Sequence, residues 1–326
     1  MTLSRRLSGF KPTGHLQLGN YLGAIRPMLQ AQYTSDSVVL VVDLHGLTVE
    51  HNPMRLRSLT EEQAMVLLAA GIDPRHCTFY VQSHVPEHYE LHYLLESATS
   101  YGEAHRMVQF KEKSVAGAQV RLSLLTYPVL MAADILLHDT DVVPVGDDQD
   151  QHVELARAVA NRFNGRYGET FVVPRAEHPQ TAARIMDLSD PTAKMGKTSS
   201  VHSGTLFLLD PPDVLRRKVM RAVTDTGTEV RYDPEAKPGV SNLLEILAGC
   251  VEDTPTALAG LFDSYGELKS AVADSVVATV SPIQQRFDDL AKDPDYVREI
   301  LADGATRARE RAARTVRRAK EAIGLY

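Results

Sequence analysis

The chain has 326 residues, 44% hydrophobic and 24% charged, with a net charge of −7 from 35 Lys and Arg against 42 Asp and Glu. This composition supports one large or two ordinary globular domains and excludes long disorder, fibrous classes and indiscriminate polyanion binding. No apolar run reaches the roughly 18 residues of a membrane span, and Cys77 and Cys250 are too few for a disulfide framework or a cysteine zinc site. The N-terminal Met-Thr-Leu-Ser-Arg-Arg is followed closely by Gly, Lys and Pro rather than an apolar stretch, so a cytoplasmic protein without a secretory signal or membrane partner is expected.

The first notable segment is Ser8-Gly9-Phe10-Lys11-Pro12-Thr13-Gly14-His15-Leu16-Gln17-Leu18-Gly19-Asn20-Tyr21, where three glycines within eleven residues let a ligand approach the backbone closely. A helical run from Tyr21 to about Gln32 follows, so its first amides could face a phosphate, although the segment is neither a Walker P-loop nor a dinucleotide fingerprint. Val38–Val42 and Thr78–Gln82 read as buried strands, separated by a helix capped by Asn52, opened by Pro53 and ended by Gly71. His88, His92 and Glu96 fall four apart on the next helix; a solvated helix face is expected there rather than a zinc site.

In the segment Tyr127 to Asp134, Asp134 sits in a helix otherwise made of Leu, Met, Ala and Ile, and should receive a specific donor, or else cap or pair with a structural Arg. Val142–Val145 reads as a third strand, followed by a helix to about Phe163 with Asp147 or Asp148 near its cap. Alternating strands and helices predict a doubly wound parallel sheet with ligands at the strand carboxyl ends. Asp190–Ser200 places Lys194 and Lys197 in a Gly/Ser/Thr loop, a cationic clamp suited to a transferring phosphate. From about Pro211 the pattern is helical, over 212–223, 241–250, 254–261, 283–291 and 296–323. Its end is basic: Arg298, Arg307, Arg309, Arg311, Arg314, Arg317, Arg318 and Lys320 stand against Glu299, Asp303, Glu310 and Glu321. The charge fits a solvated face with pairs such as Glu310–Arg314, or a focused nucleic-acid contact.

In order and spacing these segments resemble the tryptophanyl-tRNA synthetases, class I aminoacyl-tRNA synthetases. Residues 9–21 look like that family's "HIGH" motif and residues 194–198 like its "KMSKS" loop; Val143–His152 and Lys237–Asn242 also match. The resemblance implies a Rossmann-type catalytic domain over 1–210 and a helical domain over 211–326 that reads the anticodon region of tRNA(Trp), within a homodimer formed through the catalytic domain. L-Tryptophan would be activated by ATP, with Mg2+, and passed to the 3′-terminal ribose of the tRNA.

By the same resemblance Lys194, Lys197 and Asn20 would be catalytic, the lysines strengthening their hold as pyrophosphate departs. ATP would meet Lys11, Pro12, Thr13, Gly19 (room for adenine), Asn20, Gly146, Asp147, Asp148, Ile185 and Lys194-Met195-Gly196-Lys197-Thr198. Asp134 would accept the indole N–H, with Leu7, Gly9, Met131, Val143 and Val145 forming the slot and His45, Tyr127 and Gln149 serving the polar end.

Three positions depart from the family's pattern: Lys11 where Gln is common, Gln17 where His or Thr is usual, and Gly196-Lys197-Thr198 where Ser-Lys-Ser is usual. Lys11, with the complete absence of Trp from the chain, suggests an auxiliary form tolerant of indolmycin-type inhibitors. The alternatives are a tyrosine-specific relative and a paralogue that binds tRNA or tryptophan without synthetase activity.

Overall fold

The computed structural model describes residues 3–114, 120–146, 149–178, 185–196 and 202–325. Strand β1 (Arg5–Phe10) leads through α1 (Leu18–Asn20), a wider π-helical turn at Tyr21–Ile25 and α2 (Arg26–Ala31) to β2 (Asp36–Val41). Helix α3 (Pro53–Ala70) crosses to β3 (Cys77–Val81). Then α4 (Glu87–Glu96), α5 (Tyr101–Arg106), α6 (Val108–Lys113) and α7 (Leu122–Leu137) precede β4 (Val142–Pro144), and α8 (Asp150–Tyr167) precedes β5 (Arg175–Glu177). Helices α9 (Pro212–Met220), α10 (Pro238–Val251), α11 (Pro255–Ala259), α12 (Tyr265–Ala291) and α13 (Pro294–Ile323) follow.

The strands form one parallel sheet in the order β3-β2-β1-β4-β5. The chain runs outward from β1 to β3, then crosses back to lay β4 and β5 on the other side of β1. That reversal opens a crevice at the carboxyl ends of β1 and β4. The doubly wound expectation holds, and α3 carries its expected ends: Asn52 accepts from the Arg55 amide at 3.1 Å and Pro53 takes the first position.

Two features differ from the sequence reading. β1 is the central strand, yet only Leu7 and Phe10 in it are large and apolar. It tolerates Arg5 and Arg6 there because Asp36 on β2 takes Arg5 Nε at 2.9 Å and Glu177 on β5 takes Arg6. Helix α12 begins well before 283; Pro282 inside it and the β-branched Val276, Val277, Thr279 and Val280 hide its period.

Strand alternation builds one core on each face of the sheet. Phe10, Val39, Val41, Phe79 and Val81 join α3, α9, α10 and α12 on one side. Leu7, Val38, Leu40 and Tyr80 join α4, α7 and α8 on the other. The first core runs unbroken from residue 10 to residue 301, so it spans the 210/211 division. Helix α13 contributes Val297 and Leu301 to the first core and Ala305, Ala308, Ala312 and Val316 to the second. It changes sides at Gly304, where an added Cβ would lie 1.7 Å from the Phe79 carbonyl oxygen. The helix thus lies against β3, an edge strand, and covers it.

Most of the basic end is used in this seam. Arg311 pairs with Asp36 at 3.1 Å, Arg318 with Asp139 at 2.5 Å and Lys320 with Glu90 at 2.9 Å, while Arg307 donates to the Pro74 carbonyl at 2.8 Å. Among the described residues Glu310 and Arg314 form no ion pair, and Arg314 and Arg317 are exposed. Among the described residues no helix is long and apolar enough to cross a membrane.

Candidate active site

At the crevice lies a cavity of about 410 Å3, closed by the ends of β1 and β4, the turn at 43–48 and one side of α7. Its wall brings together Leu7, Gly9, His45, Tyr127, Met131, Asp134, Val143, Val145 and Gln149, all of the residues expected around an amino acid, with Lys11 and Gly146 beside them. Most of this wall is apolar, so its polar groups decide what it can recognise.

Asp134 is 3% exposed and projects from the apolar helix α7. Its Oδ1 accepts from Gln82 Nε2 at 2.6 Å and its Oδ2 meets His45 Nε2 at 2.8 Å; His88 Nδ1 stands 2.7 Å from Oδ1, a close contact without hydrogen-bond alignment. Gln82 is held in the donating orientation because its Oε1 accepts from the Leu44 amide at 3.2 Å. Burial pushes the Asp134 carboxyl up, but the hydrogen bond from His45 and the close approach of His88 overcome it and hold the group well below the usual carboxylate range. The site therefore contains an ionised carboxylate in an apolar wall.

His45 was expected at the polar end of a substrate; its Nε2 is instead committed to Asp134. His88, expected on a solvated face, is fully buried, because the α4 face that carries it packs against α7 and β3 residues rather than water. His92 is partly exposed, and its Nε2 lies 3.2 Å from Glu96. Sequence spacing could not separate these outcomes, since a polar residue at a core position looks the same as one on a solvated face. Gln82, Tyr80 and His138 escaped notice for the same reason.

On the other side of the cavity Tyr127 donates to Gln109 Oε1 at 3.1 Å and meets His152 Nε2 at 2.9 Å. Lys11 Nζ donates to Thr48 Oγ1 at 3.1 Å, and that hydroxyl donates to the His45 carbonyl at 2.9 Å. The lysine is thereby tethered at the cavity wall, next to the strand end that holds Gly9 and Phe10.

Beyond Lys11 the loop through Pro12 and Thr13 reaches Gln17, which caps α1. The Gly19 amide donates to Gln17 Oε1, and Asn20 Oδ1 accepts from the Gln17 amide at 3.2 Å. Gln17 Nε2 donates to the Met195 carbonyl at 2.9 Å, joining the glycine segment to the lysine loop. Space beside Gly19, expected for adenine, is bounded by Gln17 Oε1 and by Ile185, whose Cβ would lie 3.3 Å from an added Cβ. The Met195 amide donates to the Ile185 carbonyl at 3.1 Å, and Met186 and Lys194 form an antiparallel bridge. Asn242 braces this hairpin from behind, exchanging hydrogen bonds of 2.8 and 2.9 Å with the Met186 backbone. The Lys237–Asn242 motif thus supports the loop. Gly196 is placed with the hairpin, and Asp147, Asp148, Lys197 and Thr198 lie outside the described residues.

The family model of tRNA synthetases class I (W and Y) matches residues 3–281. Tryptophan--tRNA ligase 1 of Streptomyces avermitilis is 56% identical over 328 residues, covering 99% of this chain and 99% of the relative. The tryptophanyl-tRNA synthetase structure from Mycoplasma pneumoniae superposes with a TM-score of 0.92 at 33% identity, covering 100% of this chain and 99% of that one. That from Campylobacter jejuni, complexed with ADP and tryptophan, gives 0.84 at 33% identity, covering 98% and 100%.

Proposed function

The chain belongs to the tryptophanyl-tRNA synthetases of class I, and from that membership we propose how its own residues activate L-tryptophan with ATP and load it onto tRNA(Trp). The observation that carries this reading is the ionised Asp134 carboxylate in the wall of a mostly apolar cavity. An indole has one N–H to donate and a large apolar body to bury, and this wall offers both partners. Leu7, Met131, Val143 and Val145 take the ring, while Tyr127, Gln149 and the Lys11 ammonium serve the polar end.

In the first step a tryptophan carboxylate oxygen bonds to the α-phosphorus of ATP as the bond to the β-phosphate oxygen breaks, giving tryptophanyl-adenylate and pyrophosphate. Such transfers need alignment and neutralised oxygens more than covalent help from the protein. Lys194 and Lys197 collect the charge leaving with pyrophosphate, and Asn20 presents the start of its helix to the phosphates. Pro12, Thr13, Gly19, Gly146, Asp147, Asp148, Ile185, Met195, Gly196 and Thr198 complete the nucleotide site in this reading. In the second step the 3′-terminal ribose hydroxyl of the tRNA attacks the tryptophanyl carbonyl and AMP leaves.

Mg2+ would arrive on the triphosphate, held by its oxygens and water. Anticodon-region recognition falls to 211–326, where the exposed Arg314 and Arg317 are available to a phosphate backbone. A homodimer through the catalytic domain would cover exposed apolar side chains such as Tyr93, Tyr101 and Leu122. Neither the geometry around Lys11 nor the relatives lends support to an auxiliary, indolmycin-tolerant form.

ATP–pyrophosphate exchange with each of the twenty amino acids supplied separately tests the reading. Exchange with tryptophan alone is expected; exchange with tyrosine would transfer the chain to the sister specificity, and none at all would mean binding without catalysis.

A further inference from the structure

Behind Asp134, away from the cavity, stands a row of side chains that the reaction does not touch. His88 Nε2 is 2.9 Å from the Tyr80 hydroxyl, which is 2.7 Å from His138 Nε2. Tyr80, His88 and His138 are all fully buried, and none of them lines the cavity. They come from β3, α4 and the end of α7, so the row ties three elements to one carboxylate.

The partners determine where the protons lie. At 2.7 Å from a carboxylate oxygen, which only accepts, His88 Nδ1 carries the proton, although the contact is not aligned as a hydrogen bond. Its Nε2 is then an acceptor and takes the Tyr80 proton. The Tyr80 oxygen in turn accepts from Nε2–H of His138. Every dipole in the row points the same way, towards Asp134, and hydrogen bonds in series in a buried interior strengthen one another. A carboxylate has about four acceptor sites. Gln82 and His45 take two here and the close His88 Nδ1 covers a third, leaving one for a ligand in the cavity.

We propose that Tyr80, His88 and His138 are positioning residues for substrate choice: they hold the Asp134 carboxylate at the angle at which its last acceptor site meets an indole N–H. This rests on the tryptophan reading above and adds to it the groups that make the pocket selective. A row that merely filled the core would support every substrate equally. A row that aims a single acceptor supports only a substrate with a donor at that place.

The test compares tryptophan with β-(3-benzothienyl)alanine, which has the same shape but sulfur in place of the N–H. Both are assayed by ATP–pyrophosphate exchange on the full-length protein and on Tyr80→Phe, which keeps the ring and removes the hydroxyl. The wild type should favour tryptophan by KM. Tyr80→Phe should raise the KM for tryptophan about tenfold, with kcat held, and leave the analogue within about twofold, in line with one buried hydrogen bond. His138→Gln, whose amide can still donate to Tyr80, should restore most of the preference that His138→Leu loses. Equal losses for both substrates, or an unchanged preference, would overturn the proposal. If Tyr80→Phe does not fold, the same ratio measured on His138→Leu decides it. Failure of the wild type to activate tryptophan at all would instead strike the functional reading beneath it.

Discussion

The Asp134 cluster and the seam between α13 and the sheet are both networks of charged and polar side chains, yet they differ in how much water reaches them. Around Asp134 the partners are buried, none more than 7% exposed. Along α13 the pairs are half-open: the side chains of Arg318 and Asp139 are 42% and 20% exposed, and those of Lys320 and Glu90 are 32% and 46% exposed. Water screens the second set and lets its members rearrange, so each pair adds little. The first set cannot rearrange, and removing one member leaves donors or a charge without a partner. Number of charges is thus a poor guide to their weight; the seam is rich in them, but the energy resides in the cluster.

The sharpest way to break this contrast is Asp134→Ala. It strands the donors of His45, Gln82 and His88 in the interior and removes the indole acceptor. Denaturant unfolding should show a loss of about 3–5 kcal/mol, and tryptophan-dependent pyrophosphate exchange should fall by about a thousandfold or more. A loss below about 1 kcal/mol would erase the distinction between the regions.

An intermediate effect tests the cluster's proton arrangement. Burial holds His138 well below its ordinary range, so it stays neutral in the fold. Below about pH 6.5 the unfolded chain takes up a proton at this position that the folded chain refuses, so stability rises with pH across that window. Unfolding free energy measured below about pH 6 should therefore fall more steeply for the wild type than for His138→Leu, by about 1.4 kcal/mol per pH unit. Parallel curves would mean that His138 is charged in the fold.

The smallest effect belongs to the seam. Arg318→Met should cost less than about 1 kcal/mol, and the cost should shrink as salt is raised. A larger loss that ignores salt would make the seam a second buried network. This would show that its partial exposure understates its role.

What the sequence made legible follows the same division. Apolar runs and caps revealed β2, β3, β4 and α3, since burial on both faces and end chemistry act locally. Central strand β1 was hidden, because Arg5 and Arg6 are acceptable there only through Asp36 and Glu177, far away in sequence. The cavity's own residues were legible through the family's motifs, down to Asp134 and its need for a donor. Its donors were not, because nothing local marks Gln82 or His88 as facing Asp134 rather than water. Gln17 likewise stood out as a departure, while its hydrogen bond to Met195 required the hairpin to fold across it.

The clasp of α13 on β3 also has a consequence in time. Arg307 reaches Pro74 across 233 residues of chain. At about 5–20 residues per second, a ribosome needs on the order of tens of seconds to make that stretch. Throughout that interval β3 has emerged without the helix that seals it, and its row of unpaired amides and carbonyls is open to any strand nearby. The nascent chain is therefore most exposed to mispairing in the middle of its synthesis, and the small residues around Gly304 close that interval as they dock.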